Sequence, residues 1–423
     1  MSKLEQLINK LCPDGVEYKT LVELGKFFGG LCGKSKDDFT GGNAKFITYK
    51  NVYANPSLSL DVDDTVKIAE DEKQNTLQYR DVIFTGSSET PEECGFSSVL
   101  TQRTDELLYL NSFCFFFRFD DPEIMLPDFS KHLFRSAMLR KQIVKTASGV
   151  TRFNVSKKLM EKVTIPLPPL PVQEEIVRIL DNFMELTAEL TAELTARKQQ
   201  YEYYRDSLLT FGDEVEWKPL EDSIISLTTG LNPRKFFVLN TEDANNYYVT
   251  IREMQNNKIV FSENTDRINA GALKLCNNRS KLEVGDVLFS GTGTIGETVV
   301  ITEPPVNWNI KEGVYSIKPN QEKILPQFLM HLLHSKQIKN TYMSKAAGGT
   351  VKSVPMKEMR KLKFPNIPIP EQERMVEILD YFDKLCNDIS EGLPAEITAR
   401  QQQYEYYRNK LLTFKAKEVC VNE

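Results

Sequence analysis

Apolar side chains recur at seven-residue spacing through one stretch of the chain, 173–211, which reads QEEIVRILDNFMELTAELTAELTARKQQYEYYRDSLLTF. One register holds Ile176, Phe183, Leu190, Arg197, Tyr204 and Phe211; the other holds Leu180, Thr187, Leu194, Tyr201 and Leu208. All but Arg197 and Thr187 are apolar or aromatic, and neither Gly nor Pro interrupts the stretch. A heptad sustained this long predicts one helix packed lengthwise on another. At 1.5 Å per residue it would be roughly 58 Å long.

The partner lies in the same chain, because the chain repeats. DGVEYKTL at Asp14 returns as DEVEWKPL at Asp213, and KHLFRS at Lys131 as MHLLHS at Met330. SGVTRFNV at Ser148 returns as AGGTVKSV at Ala347, and IPLPPLPVQEEIVRILDNF at Ile165 as FPNIPIPEQERMVEILDYF at Phe364. These four pairs share an offset of 199 residues; ARKQQYEYYRDSLLTF at Ala196 returns at Ala399, an offset of 203. Four residues are therefore inserted in the second long helix, where Gly392 and Pro394 should break or kink it.

Each half has one plan: a globular part, a proline-rich turn, then a long helix. The expected bounds are a short N-terminal helix at 1–12, a first domain at 13–165, a first spacer helix at 166–211, a second domain at 212–364 and a second spacer helix at 365–416. The two helices are expected to pair antiparallel through Ile176, Leu180, Phe183, Leu190, Leu194, Tyr201, Tyr204 and Leu208 on one side and Leu379, Phe382, Tyr404, Tyr407 and Leu411 on the other. The amphipathic N-terminal stretch (Leu4, Leu7, Ile8, Leu11) is placed beside the end of the second helix. Strand-like runs occur at 45–49, 81–85, 114–118, 247–251, 286–290 and 298–302, and helical ones at 130–146 and 326–343. Strands bounded by Gly-rich turns, without regular helix alternation, give an α+β reading: two mixed domains in tandem with an internal pseudo-two-fold repeat.

Composition narrows the function. At 423 residues and 41% hydrophobic content the chain can fill more than one core. No apolar run reaches membrane-span length and the N-terminus lacks a signal-peptide core, so a cytoplasmic location is expected. Seven scattered cysteines without a CxxC pair read as reduced and structural, and His331 with His334 reads as a packed helix face rather than a metal site. The net charge is −6, yet two segments are basic. One, 131–163, carries Lys131, Arg135, Arg140, Lys141, Lys145, Arg152, Lys157, Lys158 and Lys162. The other, 335–363, carries Lys336, Lys339, Lys345, Lys352, Lys357, Arg360, Lys361 and Lys363. Local charge of this kind, at matching places in a repeat, points to nucleic acid.

Catalytic motifs fail on inspection. Gly291, Gly293 and Gly296 match GxGxxG, but ETVVITEPP follows, a strand where a dinucleotide site needs a helix. Gly33, Lys34 and Ser35 lack the first glycine of a phosphate loop, which is Phe28 here. No methyltransferase, hydrolase-elbow or paired-carboxylate nuclease motif is present, so the chain reads as non-catalytic and metal-free. What remains suits DNA: polar loops after equivalent strands and basic runs ending in glycine turns. The candidate contacts are Lys50, Ser87, Ser88, Lys141, Lys145, Thr151, Arg152 and Asn154 in the first half, and Arg252, Thr292, Thr294, Lys345, Thr350, Lys352 and Ser353 in the second. Lys and Arg would position on phosphates, while Ser, Thr, Asn and Arg at loop tips would read base edges.

Taken together these features resemble the specificity subunits of type I restriction–modification systems, over essentially the whole chain. The residues that carry the resemblance are Gly149, Val150, Thr151 and Arg152, the runs PLPPLPVQEEIVRILD and PNIPIPEQERMVEILD, the two QQYEYYR…LLTF helix ends and the two TAEL copies at 187–190 and 191–194. The resemblance implies two target-recognition domains, each reading half of a split, asymmetric DNA site, separated by helices that dock two adenine-N6 methyltransferase subunits. It also implies motor–nuclease restriction subunits. S-adenosylmethionine, ATP and Mg would belong to those partners and none to this chain. The departure is at Gly392 and Pro394, which puts a continuous second helix in doubt. Two other readings stand beside this one: a coiled-coil scaffold whose domains bind proteins, and a self-sufficient methyltransferase, against which the absent motif counts.

Overall fold

The computed structural model describes residues 2–212, 214–388 and 392–417; within 1–423, Cys420 and three of the residues around the four-residue insertion, 389–391, lie outside them. The chain forms two compact units, Met1–Glu189 with Thr398–Glu423, and Leu190–Ile397. The division falls inside the first long helix rather than at its ends.

The first unit is built on an antiparallel sheet in the order Gly25–Gly29, Cys114–Phe119, Val82–Thr85, Ser97–Val99. Its central strand reads CFFFRF, and the unbroken apolar run has a reason. Phe115 and Phe117 face one cluster with Val82, Phe84 and the helices, while Cys114 and Phe116 face a second cluster with Ile83. A sheet covered on both faces needs apolar residues on both sides of the pleat. A smaller sheet sets Ala44–Ile47 antiparallel to Thr65–Val66 and parallel to Tyr109–Leu110. The second unit repeats this order with Ile224–Thr229, Val314–Pro319, Val287–Ser290 and Thr298–Val300, and sets Asn246–Val249 between Arg267–Ile268 and Trp308–Ile310. The architecture is the expected α+β duplication.

The two helical runs differ from expectation. Each is two helices: Pro127–Leu133 and Ala137–Val144 in the first unit, Pro326–His334 and Lys336–Ser344 in the second. The break is at Ser136 and Ser335, both with extended backbone. Ser136 accepts the Leu139 amide as an N-cap. Asn409 accepts the Ala137 amide at 2.9 Å in the first unit, and Asp206 accepts the Lys336 amide at 2.9 Å in the second.

The first long helix is continuous over Leu170–Leu208, 39 residues. Of the prolines around its start, Pro166 lies in a short strand, Thr164–Leu167, paired with Glu17–Thr20, and Pro171 lies in the first turn of the helix; the second repeat pairs Lys363–Pro365 with Trp217–Pro219. The second long helix is divided into Ile369–Asn387 and Leu393–Leu411, with Pro394 in the first turn of the latter, where its missing N–H costs nothing. The N-terminal helix Lys3–Leu11 buries Leu4 and pairs Lys3 with Glu175 at 2.7 Å. The chain beyond it bonds to the segment that follows the second helix, Val16 N–H to the Lys415 carbonyl at 2.8 Å.

In each unit the start of one long helix lies with the end of the other. Ile176 and Leu180 are fully buried in the first unit, where Phe183 stacks on Tyr407 at 5.2 Å. Leu379 and Tyr201 are buried in the second, where Phe382 stacks on Tyr204 at 5.5 Å. Leu411 and Leu208 pack at the edges of these cores, and Leu190 and Leu194, in the middle of the heptad, are only half-buried.

A buried histidine ties each globular part to both helix segments. Asp181 can only accept, so His132 Nε2–H donates to it at 2.7 Å and Nδ1 accepts from the Tyr404 hydroxyl at 2.9 Å. His331 repeats the pattern with Asp380 at 2.7 Å and Tyr201 at 3.2 Å. Buried glutamines brace the helix starts. Gln173 accepts the Leu126 amide and donates to the Ile124 and Pro168 carbonyls; Gln372 accepts the Leu325 amide and donates to the Lys323 and Ile367 carbonyls. His334, expected to pack, does so, with Nε2 on Thr298 Oγ1 at 2.7 Å.

Two outcomes are expected. Gln173→Leu strands a buried amide and two carbonyls, and urea unfolding should show a loss of about 3 kcal/mol from unsatisfied groups that cost roughly 1–3 kcal/mol each. Burial holds His132 below its ordinary 6.5 and His334 down to about 3, so both are harder to protonate folded than unfolded, and His334 stays neutral in the fold above about pH 3. Unfolding therefore takes up protons below pH 6.5, and stability falls as pH drops from 6.5 toward 3. In the window 5–6.5, where ordinary carboxylates stay charged, His334→Gln should flatten the pH dependence of the urea midpoint by about one proton, or about 1.4 kcal/mol per pH unit; an unchanged slope would show that His334 is not held neutral.

Candidate nucleic-acid interface

The polar loops predicted from sequence are joined to the glycine turns by backbone hydrogen bonds, and the joint is the same in both units. In the first, Ala147–Gly149 and Phe153–Val155 form a hairpin whose second strand pairs with Ser87–Ser88 in the register Asn154↔Ser87 and Phe153↔Ser88. The Val155 amide donates to the Gly86 carbonyl at 2.9 Å. In the second, Ala347 bridges Ser353, Ser353 bridges Thr292, the Gly293 amide donates to the Lys352 carbonyl at 2.9 Å and the Val354 amide to the Gly291 carbonyl at 2.9 Å. Gly291 opens a hairpin into Thr298–Val300, as the strand-like sequence after GxGxxG required.

Glycine is obligatory at the turn. Gly149 has φ +154° and Gly348 φ +127°, at repeat-equivalent places. A Cβ on Gly149 would collide with the Arg152 carbonyl oxygen, and one on Gly348 with the Val351 carbonyl oxygen. Backbone approach, not only turn handedness, fixes the residue.

The structure brings together Ser87, Ser88, Thr151, Arg152 and Asn154 in the first unit and Thr292, Thr294, Thr350, Lys352 and Ser353 in the second. Arg152 donates to Ser87 Oγ from Nε (3.2 Å) and Nη2 (3.0 Å), and its guanidinium lies over Phe113 at 5.4 Å. Asn154, Thr151, Thr294, Thr350 and Lys352 are exposed. Lys50 is exposed on the helix Tyr49–Ala54, beside Tyr49, whose hydroxyl donates to the Ser87 carbonyl at 2.8 Å. Lys141, Lys145 and Lys345 are exposed on or just past their helices, Lys145 and Lys345 each two residues before the hairpin of the joint. Arg252 is exposed and paired with Asp266 at 2.7 Å.

The basic runs shrink on inspection. Lys131 is buried between Asp128 and Asp181, at 3.0 and 2.8 Å. Arg135 donates to the Ser97, Val52 and Tyr53 carbonyls, and Arg140 to the Gly95, Glu92 and Cys94 carbonyls. Burial pushes both guanidinium groups down to about 10. Arg360 likewise donates to the Leu227 carbonyl. These cations hold loops and strands together.

Sequence reasoning missed the side chains around the first loop joint. Tyr49, Tyr53, Glu93 and Phe113 line a cavity of about 520 Å³ with Ser87, Ser88, Thr151 and Arg152. Tyr49 and Tyr53 stack at 6.3 Å along one helix, and Tyr53 donates to Glu93 at 2.9 Å. Aromatics one helical turn apart at 49 and 53 were the available signal. Among the described residues no group of three or more His, Cys, Asp or Glu could hold a metal ion, and no helix is long and apolar enough to cross a membrane.

Known proteins resemble the chain over both repeats. The sequence model of the type I restriction modification DNA specificity domain matches twice, at residues 13–197 and 215–399. The EcoR124I/EcoR124II specificity subunit of Escherichia coli is 37% identical over 277 residues, 63% of this chain and 67% of that one. A putative type I restriction enzyme specificity subunit of Haemophilus influenzae is 33% identical over 279 residues, 63% and 68% of the two chains. The fold resembles a chain from a structure on complex assembly and conformational transition of the type I restriction–modification system, with TM-score 0.61 and 16% identity, covering 94% of this chain and 97% of that one.

Gly149→Val should distort the first hairpin alone. The expected result is amide protection lost around 147–155 with 347–354 unchanged, read by hydrogen exchange, and a stability loss of about 1–3 kcal/mol from a strained backbone.

Proposed function

The chain belongs to the type I restriction–modification DNA specificity family, and on that premise we propose that each of its two units reads one half of a split, asymmetric DNA sequence. The observation that carries this is the loop joint: the same backbone frame in both units, presenting different side chains. A shared frame with divergent tips suits two half-sites of different sequence. The chain itself is non-catalytic and binds no cofactor in this reading. Two adenine-N6 methyltransferase subunits, with S-adenosylmethionine, act on the site that it selects, and motor–nuclease subunits, with ATP and Mg, join them for cleavage. A protein-binding scaffold is not favoured, because the family match covers both repeats.

The TAEL copies at 187–190 and 191–194 set the spacing in this proposal. One four-residue unit lengthens a helix by about 6 Å and rotates its end by roughly 40°. A base pair advances about 3.4 Å and turns roughly 35°. Changing the copy number is therefore expected to change the spacer between half-sites while leaving both half-sites intact. Variants with one and three copies, with methylated adenines mapped by sequencing, give the test; an unchanged spacer in every active variant would defeat the ruler. The exposed Lys141 and Lys145 are assigned to phosphates. Replacing both with Ala should weaken binding uniformly across sequences and reduce the slope of log K against log salt by about 2; an untouched slope would remove this face from the interface.

A further inference from the structure

The loop that closes the first unit's cavity, ETPEEC, carries Glu89, Glu92 and Glu93. Carboxylates beside a DNA backbone are repelled by phosphates. At a DNA-reading surface an acidic side chain is useful only against a donor, and the major groove offers the amino groups of cytosine and adenine. Glu93 is held for such a contact. The Tyr53 hydroxyl donates to Oε1 at 2.9 Å and the Ser88 hydroxyl to Oε2 at 3.1 Å. The Thr90 hydroxyl also donates to this carboxylate; with two lone pairs on each oxygen, three donors still leave an acceptor position on a group that lines the cavity.

Arg152 lines the same cavity and is held in a complementary way. Nε and Nη2 share Ser87 Oγ, and Phe113 covers one face of the guanidinium. That leaves the Nη1–Nη2 edge, the fork that pairs with the O6 and N7 acceptors of guanine. Guanine O6 and N7 and the cytosine amino group sit on the same major-groove edge of one base pair. Adenine fits less well, since its N7 needs a donor that a carboxylate lacks.

We propose that Glu93 and Arg152 together read one G·C pair in the half-site of the first unit, Arg152 donating to guanine and Glu93 accepting from cytosine. The assignment rests on the DNA-reading function proposed above and names the base pair at that site. The second unit has Val351 at the place of Arg152, and Thr294 at that of Glu93 when counted back from the strand Thr298–Val300. It therefore reads a different pair with the same frame.

The test is the motif methylated by the full-length chain in complex with its methyltransferase partner, mapped by sequencing modified adenines. The wild type should show a G·C pair in the half-site that depends on the first unit. Glu93→Gln should relax the cytosine of that pair, and Arg152→Gln its guanine, each by roughly 10- to 100-fold, the range of a good base contact. The spacer and the other half-site should not change, which also shows that the variants fold. A purely structural Glu93 would alter stability without altering base preference. Full discrimination retained by either variant, or relaxation at two different base pairs, would overturn the proposal. If Glu93→Gln abolishes methylation, Glu93→Asp and Arg152→Lys decide: relaxation at one shared pair supports the assignment, and an unchanged motif overturns it. A wild-type complex with no bipartite motif at all would instead defeat the DNA-reading function itself.

Discussion

The fold depends on two buried imidazoles, each fixed between a carboxylate and a phenol. His132 receives its carboxylate from Asp181, on the helix that follows its own globular part, and its phenol from Tyr404, on the helix of the other repeat. His331 is served by Asp380 and Tyr201 in the same way. A buried imidazole needs both nitrogens satisfied, so neither globular part is complete with its own helix alone. The helix-capping contacts follow the same rule, Asn409 for Ala137 and Asp206 for Lys336. Each unit therefore consists of one globular part, the start of one long helix and the end of the other.

On this frame the side chains of the loop joint are inexpensive to vary. The backbone bonds that join the strand-end loop to the glycine hairpin use no side chains, so Arg152 and Val351, or Asn154 and Ser353, sit at equivalent points without disturbing the joint. Only the turn glycines are held by the backbone itself. Specificity can diverge between the two halves while the scaffold, braced by Gln173 and Gln372 from identical positions, stays constant.

Much of this was legible in the sequence because it is periodic or repeated. The heptad, the offsets, the strand runs at 81–85 and 286–290 and the Gly turns each announce themselves over short distances. Charge was less reliable. Lys131, Arg135 and Arg140 look like part of a phosphate-binding run, yet all three are turned inward against carboxylates or carbonyls contributed from elsewhere in the unit. Glu93 went unnoticed for the converse reason: in an acidic turn it reads as solvated, and its partners Tyr53 and Ser88 reach it only through the fold.

By itself the sequence determined the duplication, the α+β class, the long first helix and the place of the polar loops and glycine turns, because each follows from local periodicity and backbone preference. Tertiary structure alone decided which of the basic residues are free and which are structural. It also decided that the middle of the heptad, around Leu190 and Leu194, is only half-buried while its ends are sealed. The reason is the same in both cases. A side chain's role is set by the partners that long-range folding places within hydrogen-bond or van der Waals reach, and a residue's own neighbours in the chain do not name them.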